Sequence, residues 1–203
     1  MTVFYYKGDL PDGLDFGDSV AIDCETMGLS LVRDELCVIQ LSSGDGNAHV
    51  VQFDRKTYDC PNLKKLLTDG KIEKLFHFGR FDIAMIYKYL GILCAPVFCT
   101  KIASKLCRTY TDRHGLKDLL RELVGVELNK QQQSSDWGQE TLSEAQLNYA
   151  ASDVLYLHGA KNKLVEMLQR HNRVEIANAC FKFLPTQAML DLNGFGEIDI
   201  FSH

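Results

Sequence analysis

Acidic side chains in three separate stretches are the residues of this chain best suited to chemistry. Asp23 and Glu25 end a short apolar run, Asp82 follows a phenylalanine, and Asp153 follows Tyr149 by four positions. Carboxylates in apolar surroundings are costly unless a cation neutralises them. Hard oxygen ligands of this kind suit Mg²⁺ or Mn²⁺. If the four carboxylates converge, they predict a site in which two divalent ions help water to cut a phosphodiester bond.

The predicted elements allow such convergence. Asp23 and Glu25 are two apart at the end of a predicted strand, so both side chains point to one face. Asp82 lies in the first turn of a predicted helix, where the helix dipole favours a carboxylate. Tyr149 and Asp153 are four apart in another predicted helix and share one face. Two bare carboxylates about 5 Å apart repel by about 3 kcal/mol at an effective dielectric of 20, so a converged site predicts bound cations. The alternative is that each acid is separately solvated or salt-bridged.

Short strands and helices alternate along the chain. Apolar runs at 19–24, 35–41 and 48–53 predict three strands in an antiparallel meander, because short turns separate them. Further elements are a strand at 72–76 and helices at 62–68, 80–90, 100–107, 116–124, from a capped start at Ser143 towards Gln169, and at 173–192. This order predicts an α/β domain with a mixed sheet flanked by helices. We expect one domain over residues 1–203, with C-terminal helices at about 172–193 packing on it or at a subunit interface.

Composition narrows the class of protein. The chain has 203 residues, of which 46% are hydrophobic and 24% charged, as in an ordinary globular protein. It has no apolar run of 18 residues and no apolar leader, so we expect neither a membrane span nor a signal peptide. Seven cysteines without a C-x-x-C pair favour thiols in a reducing cytoplasm over a zinc site. The net charge of −5 lacks the basic excess of proteins that grip long nucleic acid. Small substrates or a local basic patch are therefore expected.

The motifs together resemble a known family. They are Asp23-Cys24-Glu25-Thr26-Met27-Gly28-Leu29, Phe81-Asp82 and Tyr149-x-x-x-Asp153. This combination resembles the DEDDy branch of the 3′–5′ exonucleases, and the segments 130–137 and 142–147 are similar to the exonuclease domain of ribonuclease D. The segment 33–41 and the compact length are most similar to the nanoRNase C family of alphaproteobacteria. The resemblance implies a ribonuclease H-like exonuclease fold.

The resemblance also implies roles for the acidic residues and the tyrosine. The metal ligands would be Asp23, Glu25, Asp82 and Asp153, which would hold two Mg²⁺ or Mn²⁺ ions per active site. Tyr149 would orient the attacking water, since a phenol with a pKa near 10 is a positioner rather than a base at pH 7. These five residues would be the catalytic set.

Substrate contacts and partners are implied in the same way. Met27, Gly28 and Leu29 match a loop whose backbone approaches the 3′ nucleotide, and Leu29 matches an apolar wedge between the last two bases. A core leucine is the alternative reading of Leu29. The implied substrate is short RNA, down to dinucleotides such as the linear products of cyclic dinucleotides, released as nucleoside 5′-monophosphates. The implied assembly is a ring-shaped homo-oligomer, an octamer.

Other substrate contacts rest on weaker patterns. His77 could reach the terminal sugar or phosphate, although a buried, hydrogen-bonded histidine is equally compatible with its position. Phe81 is a candidate contact whose alternative is a core position. Cations mixed with aromatic rings favour phosphate binding and base stacking. The alternative is that these residues form a solvated surface loop with no ligand. Candidates of this kind are Arg108, Tyr110, Arg113 and Lys130. We expect the 108–114 loop or a neighbouring subunit to hold a 5′ phosphate.

Three other functions stay open at this point. A ribonuclease D-like enzyme would trim the 3′ ends of tRNA or longer RNA. A DNA 3′–5′ exonuclease is compatible, because none of the five catalytic candidates reads a 2′ hydroxyl. An inactive nucleic-acid-binding scaffold on the same fold is disfavoured, since such a protein would be expected to have lost a metal ligand.

Overall fold

A mixed six-stranded sheet forms the centre of the molecule. The structure is a computed structural model that describes residues 1–129 and 131–203. The strands are β1 (Thr2–Lys7), β2 (Ser19–Thr26), β3 (Leu36–Ser42), β4 (Asn47–Gln52), β5 (Glu73–Phe76) and β6 (Val97–Cys99). Their order across the sheet is β1-β4-β3-β2-β5-β6. The β2–β3 and β3–β4 pairs are antiparallel and the other pairs are parallel, which confirms the predicted meander and mixed sheet.

Seven helices pack around the sheet in the described ranges. They are α1 (Pro61–Thr68), α2 (Arg80–Leu90), α3 (Thr100–Cys107), α4 (Leu116–Leu123), α5 (Glu144–Leu155), α6 (Leu157–Arg170) and α7 (Val174–Leu192). The long helix predicted after Ser143 is two helices, because Tyr156 leaves helical geometry with ψ at 0°. Ser143 and Gln146 do form the predicted capping box. None of these helices is long and apolar enough to cross a lipid bilayer.

Two strands, β1 and β6, were not predicted from the sequence. β6 has only three residues, too few for a period of two to be read from sequence. β1 lies at the edge of the sheet, and its residues range from half-buried to exposed, so its apolar pattern is weak. Both strands pair in parallel with a neighbour, which requires partners distant in the chain.

Packing around β2 brings distant segments to one place. Val20, Ala21 and Ile22 on β2 are fully buried. β2 pairs with β3 on one side and β5 on the other, and both α2 and α5 pack against it. The two helices therefore deliver their own side chains to the carboxyl end of β2, where the first acidic motif lies.

The C-terminal helix packs against other elements of this chain. α7 lies against α2, α3 and β6. The rings of Phe98 and Phe181 stand 4.6 Å apart, and Arg80 at the start of α2 pairs with Asp191, with Nη2 and Oδ1 2.7 Å apart. This ion pair connects the end of α7 to the start of α2, two residues before Asp82.

Candidate active site

Four carboxylates from three elements meet at the carboxyl end of β2. Oxygen atoms of Asp23, Glu25 and Asp153 all lie within 4.8 Å of one another. Asp82 joins them from the first turn of α2, where its Oδ1 accepts a hydrogen bond from the backbone N–H of Cys24 at 3.1 Å. Cys24 is the residue between the two acids of β2. The structure therefore brings together all four acids that were singled out in the sequence, and we call them the acidic cluster.

Burial and mutual repulsion perturb these carboxyl groups strongly. Burial is the largest cause for each of three: it holds the pKa of Asp23 well above its usual range, that of Glu25 at about 9 and that of Asp82 at about 7. The charge of Asp153 raises all three further, whereas the hydrogen bond from Cys24 opposes the rise at Asp82. Repulsion of this kind is typical of groups that share a metal site.

The donor set fits hard divalent cations. Among residues 1–129 and 131–203, no lysine or arginine forms an ion pair with Asp23, Glu25 or Asp82. Carboxylate oxygens are the ligands that Mg²⁺ and Mn²⁺ prefer. A bound cation would reverse the repulsion among these groups, because it places opposite charge between them.

Gln40 supports Asp23 and was missed in the sequence. It lies opposite Asp23 in the β2–β3 register and is fully buried. Its Nε2 donates a hydrogen bond to Asp23 Oδ2 at 2.6 Å, while its Oε1 is buried without a hydrogen-bond partner in the described part of the chain. Such a contact fixes the orientation of a metal-ligating carboxylate. A lone polar residue within the apolar run of β3 was the available signal.

Tyr149 lies one turn before Asp153 on α5, next to the cluster. Burial is the largest cause that raises its pKa, followed by the charges of Asp153, Glu25 and Asp23. Its ring centroid is 5.9 Å from that of Trp137, and Trp137 is only 2% exposed. The tryptophan thus packs against the tyrosine and is not available to stack on a base. Tyr149 stays protonated near neutral pH, and a hydrogen bond with Asp153 holds its hydroxyl beside the acidic cluster.

The loop after β2 presents Leu29 to solvent. Leu29 is 87% exposed, which rules out the reading of a core leucine. Lys88 Nζ fastens the loop by donating to two of its backbone carbonyls at 2.7 and 2.9 Å. At Gly28 a Cβ atom would lie 2.3 Å from Asp34 Oδ2, so any larger residue there would have to displace the Asp34 carboxylate. Met27 precedes it and is 46% exposed.

A groove adjoins this loop. Its volume is about 380 Å³, and its lining includes Leu29, Phe78 and Phe81. Phe81 also packs against the core, so both of its predicted roles are compatible with its position. His77 is half-buried, and its Nδ1 lies 2.9 Å from Thr100 Oγ1 at the ends of β5 and β6. Phe78 was not singled out in the sequence.

The prediction that Arg108 binds phosphate is wrong. Its side chain is fully buried, and its guanidinium donates to Ser104 Oγ and to the backbone carbonyl of Arg113, both at 2.9 Å. It also pairs with Glu122, with Nε and Oε1 3.2 Å apart. A buried guanidinium is retained only with such partners, and these partners leave it unavailable to substrate. Arg108 instead ties α3 to α4.

The remaining candidates of that loop have different positions. Tyr110 is 66% exposed and its hydroxyl donates to Glu122, while Arg113 is exposed. The described contacts of both are with Arg108, Thr111 and Glu122, none of which belongs to the acidic cluster. Their roles stay predictions. The fourth candidate, Lys130, lies outside the described residues.

Known proteins similar to this chain include nucleases. Residues 12–169 match a protein family described as 3′–5′ exonuclease. Ribonuclease D of Gluconacetobacter diazotrophicus is 34% identical over 156 residues, which cover 77% of this chain and 39% of that protein. The chain thus spans well under half the length of the curated relatives it matches first.

Two solved structures are similar over the whole chain. Brucella melitensis NrnC with bound Mg²⁺ is 55% identical with a TM-score of 0.96, and the match covers 100% of both chains. Brucella melitensis NrnC bound to pGG is 56% identical with a TM-score of 0.97, covering 100% of this chain and 99% of that one. With the family match, these likenesses show that the chain belongs to the 3′–5′ exonuclease family, as an exonuclease of the ribonuclease D and NrnC type.

Proposed function

We propose that this chain removes nucleotides from the 3′ end of short RNA, down to dinucleotides, and releases nucleoside 5′-monophosphates. The observation that carries the proposal is the meeting of four carboxylates, three of them with oxygens within 4.8 Å of one another, beside Tyr149. Two Mg²⁺ or Mn²⁺ ions, held by the acidic cluster, would supply an activated water and stabilise the leaving 3′ oxygen.

The chain's own residues would position the reactants. Gln40 would hold Asp23 in a fixed orientation through the 2.6 Å hydrogen bond. Tyr149 would hydrogen-bond the attacking water and aim it at phosphorus, since a protonated phenol orients water better than it removes a proton. Leu29 would insert between the last two bases, because its fastened loop presents it to solvent.

The preference for very short substrates has separate support. The similarity to NrnC, whose structure holds pGG, extends over the full length of both chains, whereas the match to ribonuclease D covers 39% of that enzyme. The notation pGG denotes two guanosines with a 5′ phosphate. A net charge of −5 also favours small substrates, since long RNA is held mainly through phosphate contacts.

Trimming of longer RNA is the second candidate, and the identity of 34% to ribonuclease D favours it. Turnover of pGG, a 20-nucleotide RNA and the matching DNAs, each with Mg²⁺ or Mn²⁺, decides between them. We expect kcat/KM to be highest for the dinucleotide, EDTA to stop the reaction and Mn²⁺ to restart it. A preference for the 20-mer would favour 3′ trimming, and no hydrolysis with either ion would overturn the proposal.

The number of ions per site is tested separately. Calorimetric titration with Mn²⁺ should show two ions bound per chain at the acidic cluster. One ion, or none, would require a different mechanism.

We further propose a ring-shaped homo-oligomer, an octamer. The segment after α7 exposes large apolar side chains, which marks an interaction surface. They are Phe195 (44% exposed), Ile198 (58%), Ile200 (45%) and Phe201 (80%). In such a ring, Tyr110, Arg113 or a neighbouring subunit would hold the 5′ phosphate. Light scattering coupled to size exclusion gives the mass, and a monomer would remove the ring.

Two other proposals concern the chain as a whole. Residues 1–203 would act as one exonuclease domain, with α7 as part of it, because α7 packs against α2, α3 and β6. Limited proteolysis should then release no stable fragment that lacks α7. A cytoplasmic location is supported by seven free cysteines, six of them buried. Cell fractionation tests it.

A further inference from the structure

The segment between α4 and α5 passes beside Tyr149 without regular secondary structure. Its residues 135–142, which we call the strap, consist of turns and irregular backbone. Among the residues that the structure describes, 136–142 form no backbone-to-backbone hydrogen bond. The strap nevertheless buries Trp137 and Leu142, which are 2% and 5% exposed, against β3, β4 and α5. Its position must therefore be fixed by side chains.

Four side chains from separate elements hold the strap by donating hydrogen bonds to its backbone carbonyls. The donors lie on α5, on the loop after β4, on β4 and on β1. They are Gln146 Nε2 to Asp136 at 2.9 Å, Arg55 Nη2 to Gly138 at 3.0 Å, Gln52 Nε2 to Gln139 at 2.7 Å, and Lys7 Nζ to Glu140. Arg55 reaches the strap from a backbone with φ +61°, which arginine rarely adopts. Strain of this kind persists only when the surroundings impose it.

Gln146 is the donor with the most contacts to the strap. It is 2% exposed and lies in the first turn of α5. Its Nε2 also donates to Ser135 Oγ at 3.0 Å, and its Oε1 accepts from the backbone N–H of Ser143 at 3.0 Å and from Nε2 of Gln139. A buried amide with all these partners is held in one orientation. Gln146 thus joins the strap to the helix that carries Tyr149 one turn further on.

Trp137 brings the strap into contact with the tyrosine. Its ring centroid lies 5.9 Å from that of Tyr149. The indole N–H is buried without a hydrogen-bond partner in the described ranges. A buried donor without a partner costs stability, so the packing of the ring accounts for a tryptophan here better than a polar contact does. Tyr149 is thus held at two points, by Trp137 at its ring and by Asp153 at its hydroxyl.

We propose that the strap positions Tyr149 for catalysis, with Trp137 as the contact and Gln146 as the anchor. The inference rests on the proposed exonuclease function. Both are positioning residues, because they would act through the tyrosine rather than on the substrate. A misplacement of about 1 Å at a catalytic group can cost about 10²-fold in rate, so a tyrosine whose ring is free to move would lose much of its effect.

A double-mutant cycle separates positioning from a general effect on the fold. Gln146→Leu should lower kcat about tenfold, measured on whichever of pGG and the 20-nucleotide RNA is turned over faster. KM and Mn²⁺ affinity should change little, because the metal ligands keep their places. In the Tyr149→Phe background, which has no hydroxyl to misplace, the same change should cost nothing more. Trp137→Phe should behave likewise, because its smaller ring leaves a gap beside residue 149.

Three outcomes of the cycle would overturn the proposal. They are an unchanged kcat in both single variants, costs that add to that of Tyr149→Phe, and a loss of Mn²⁺ affinity, which would mean that α5 as a whole has moved. If the wild type hydrolyses neither substrate, the proposed function is wrong and the role of the strap falls with it. If the wild type is active but the costs add, only the role of the strap is wrong.

The strap also carries its own reporter, because Trp137 is the one tryptophan of the chain. Its fluorescence emission should shift to longer wavelength in Gln146→Leu, since a loosened strap admits water to the indole. The emission should stay the same in Tyr149→Phe, which leaves the strap intact. An unchanged emission in Gln146→Leu would show that Gln146 is not the anchor.

Asp9→Ala is the matched control for loss of a helix-start contact elsewhere. The carboxylate of Asp9 accepts hydrogen bonds from the backbone N–H groups of Asn62 and Leu63, at 2.8 and 2.9 Å, in the first turn of α1. Its removal should lower the melting temperature while kcat and the tryptophan emission stay unchanged. An equal fall of kcat in Asp9→Ala and Gln146→Leu would mean that destabilisation alone explains the effect.

Discussion

Two neighbouring regions of the molecule invert the usual distribution of side chains in opposite ways. The acidic cluster places carboxylates where burial raises their pKa, to about 9 for Glu25 and about 7 for Asp82. The apolar rim, formed by Leu29 and Phe78, leaves large hydrophobic side chains 87% and 47% exposed. Each region is costly by itself and becomes favourable with a ligand of complementary character. The cluster suits cations, and the rim suits an apolar surface.

The two regions are also held differently. The cluster stands on a buried strand and on helices that pack against it, whereas the rim stands on loops fastened by a few contacts. Substitutions in the cluster should therefore change kcat, and those in the rim should change KM. The Glu25 and Tyr149 variants test the first part of that division.

Removing a charge from the cluster should have the largest effect. We expect Glu25→Gln to lower kcat by at least about 10³-fold, since it removes a group that would hold the transition-state charge in place. The same change should raise the melting temperature of the metal-free protein, because it removes one of several repelling carboxylates. Asp118→Asn is the control, since Asp118 is a surface partner of Arg121 at 2.7 Å. Full activity in Glu25→Gln would remove Glu25 from the site.

Tyr149→Phe should have the next largest effect. It removes only the hydroxyl that would orient water, so kcat should fall by about 10²-fold while KM stays nearly constant. The ring still packs beside Trp137, so the fold should be retained. Tyr87→Phe makes the same change on α2 and should be silent. A rise in KM without loss of kcat would place Tyr149 with the rim instead of the cluster.

Gln40→Leu tests the support beneath Asp23. We expect Mn²⁺ affinity, measured by calorimetry, to fall about tenfold, because an unsupported carboxylate ligates less well. Stability should change little, since the substitution also removes a buried oxygen without a partner. Gln52→Leu changes a buried glutamine on β4 that bonds away from the cluster, and it should leave the affinity intact. Equal losses in the two variants would argue for a general effect on the sheet.

The pH dependence of stability should show the smallest effect. The carboxyl of Glu25 has a folded pKa of about 9, against about 4 in an unfolded chain. The folded state therefore binds more protons between these values, and its free energy of unfolding falls as pH rises. Glu25→Gln lacks this contribution. It has the same cysteines and histidines as the wild type, so their titration cancels when the two proteins are compared.

The measurable quantity is the difference in melting temperature between wild type and Glu25→Gln without metal. It should widen from pH 7 to pH 9, at roughly 2–4 °C per kcal/mol for a chain of this length. Saturating Mg²⁺ should narrow it, because bound cations favour the ionised carboxylate. A difference independent of pH would mean that Glu25 is not perturbed in the folded protein.

Residue types and local spacing were sufficient to predict most of the catalytic candidates. Asp23 and Glu25 share a strand face, Tyr149 and Asp153 share a helix face, and both relations follow from the period of the element alone. The structure places these residues together with Asp82. The antiparallel meander was predictable for a similar reason, since its strands are adjacent in sequence.

The chemistry of the acidic residues and the order of the elements could therefore be predicted from the chain alone, because both depend on neighbours within a few positions. The burial of Arg108 against Glu122, the support of Asp23 by Gln40 and the exposure of Phe78 became visible only in the folded structure. Burial and side-chain partners come from segments distant in the chain, and a strained φ is imposed by the packing around it. The spacing of residues along one helix or strand therefore carries no information about these contacts or about the strained φ.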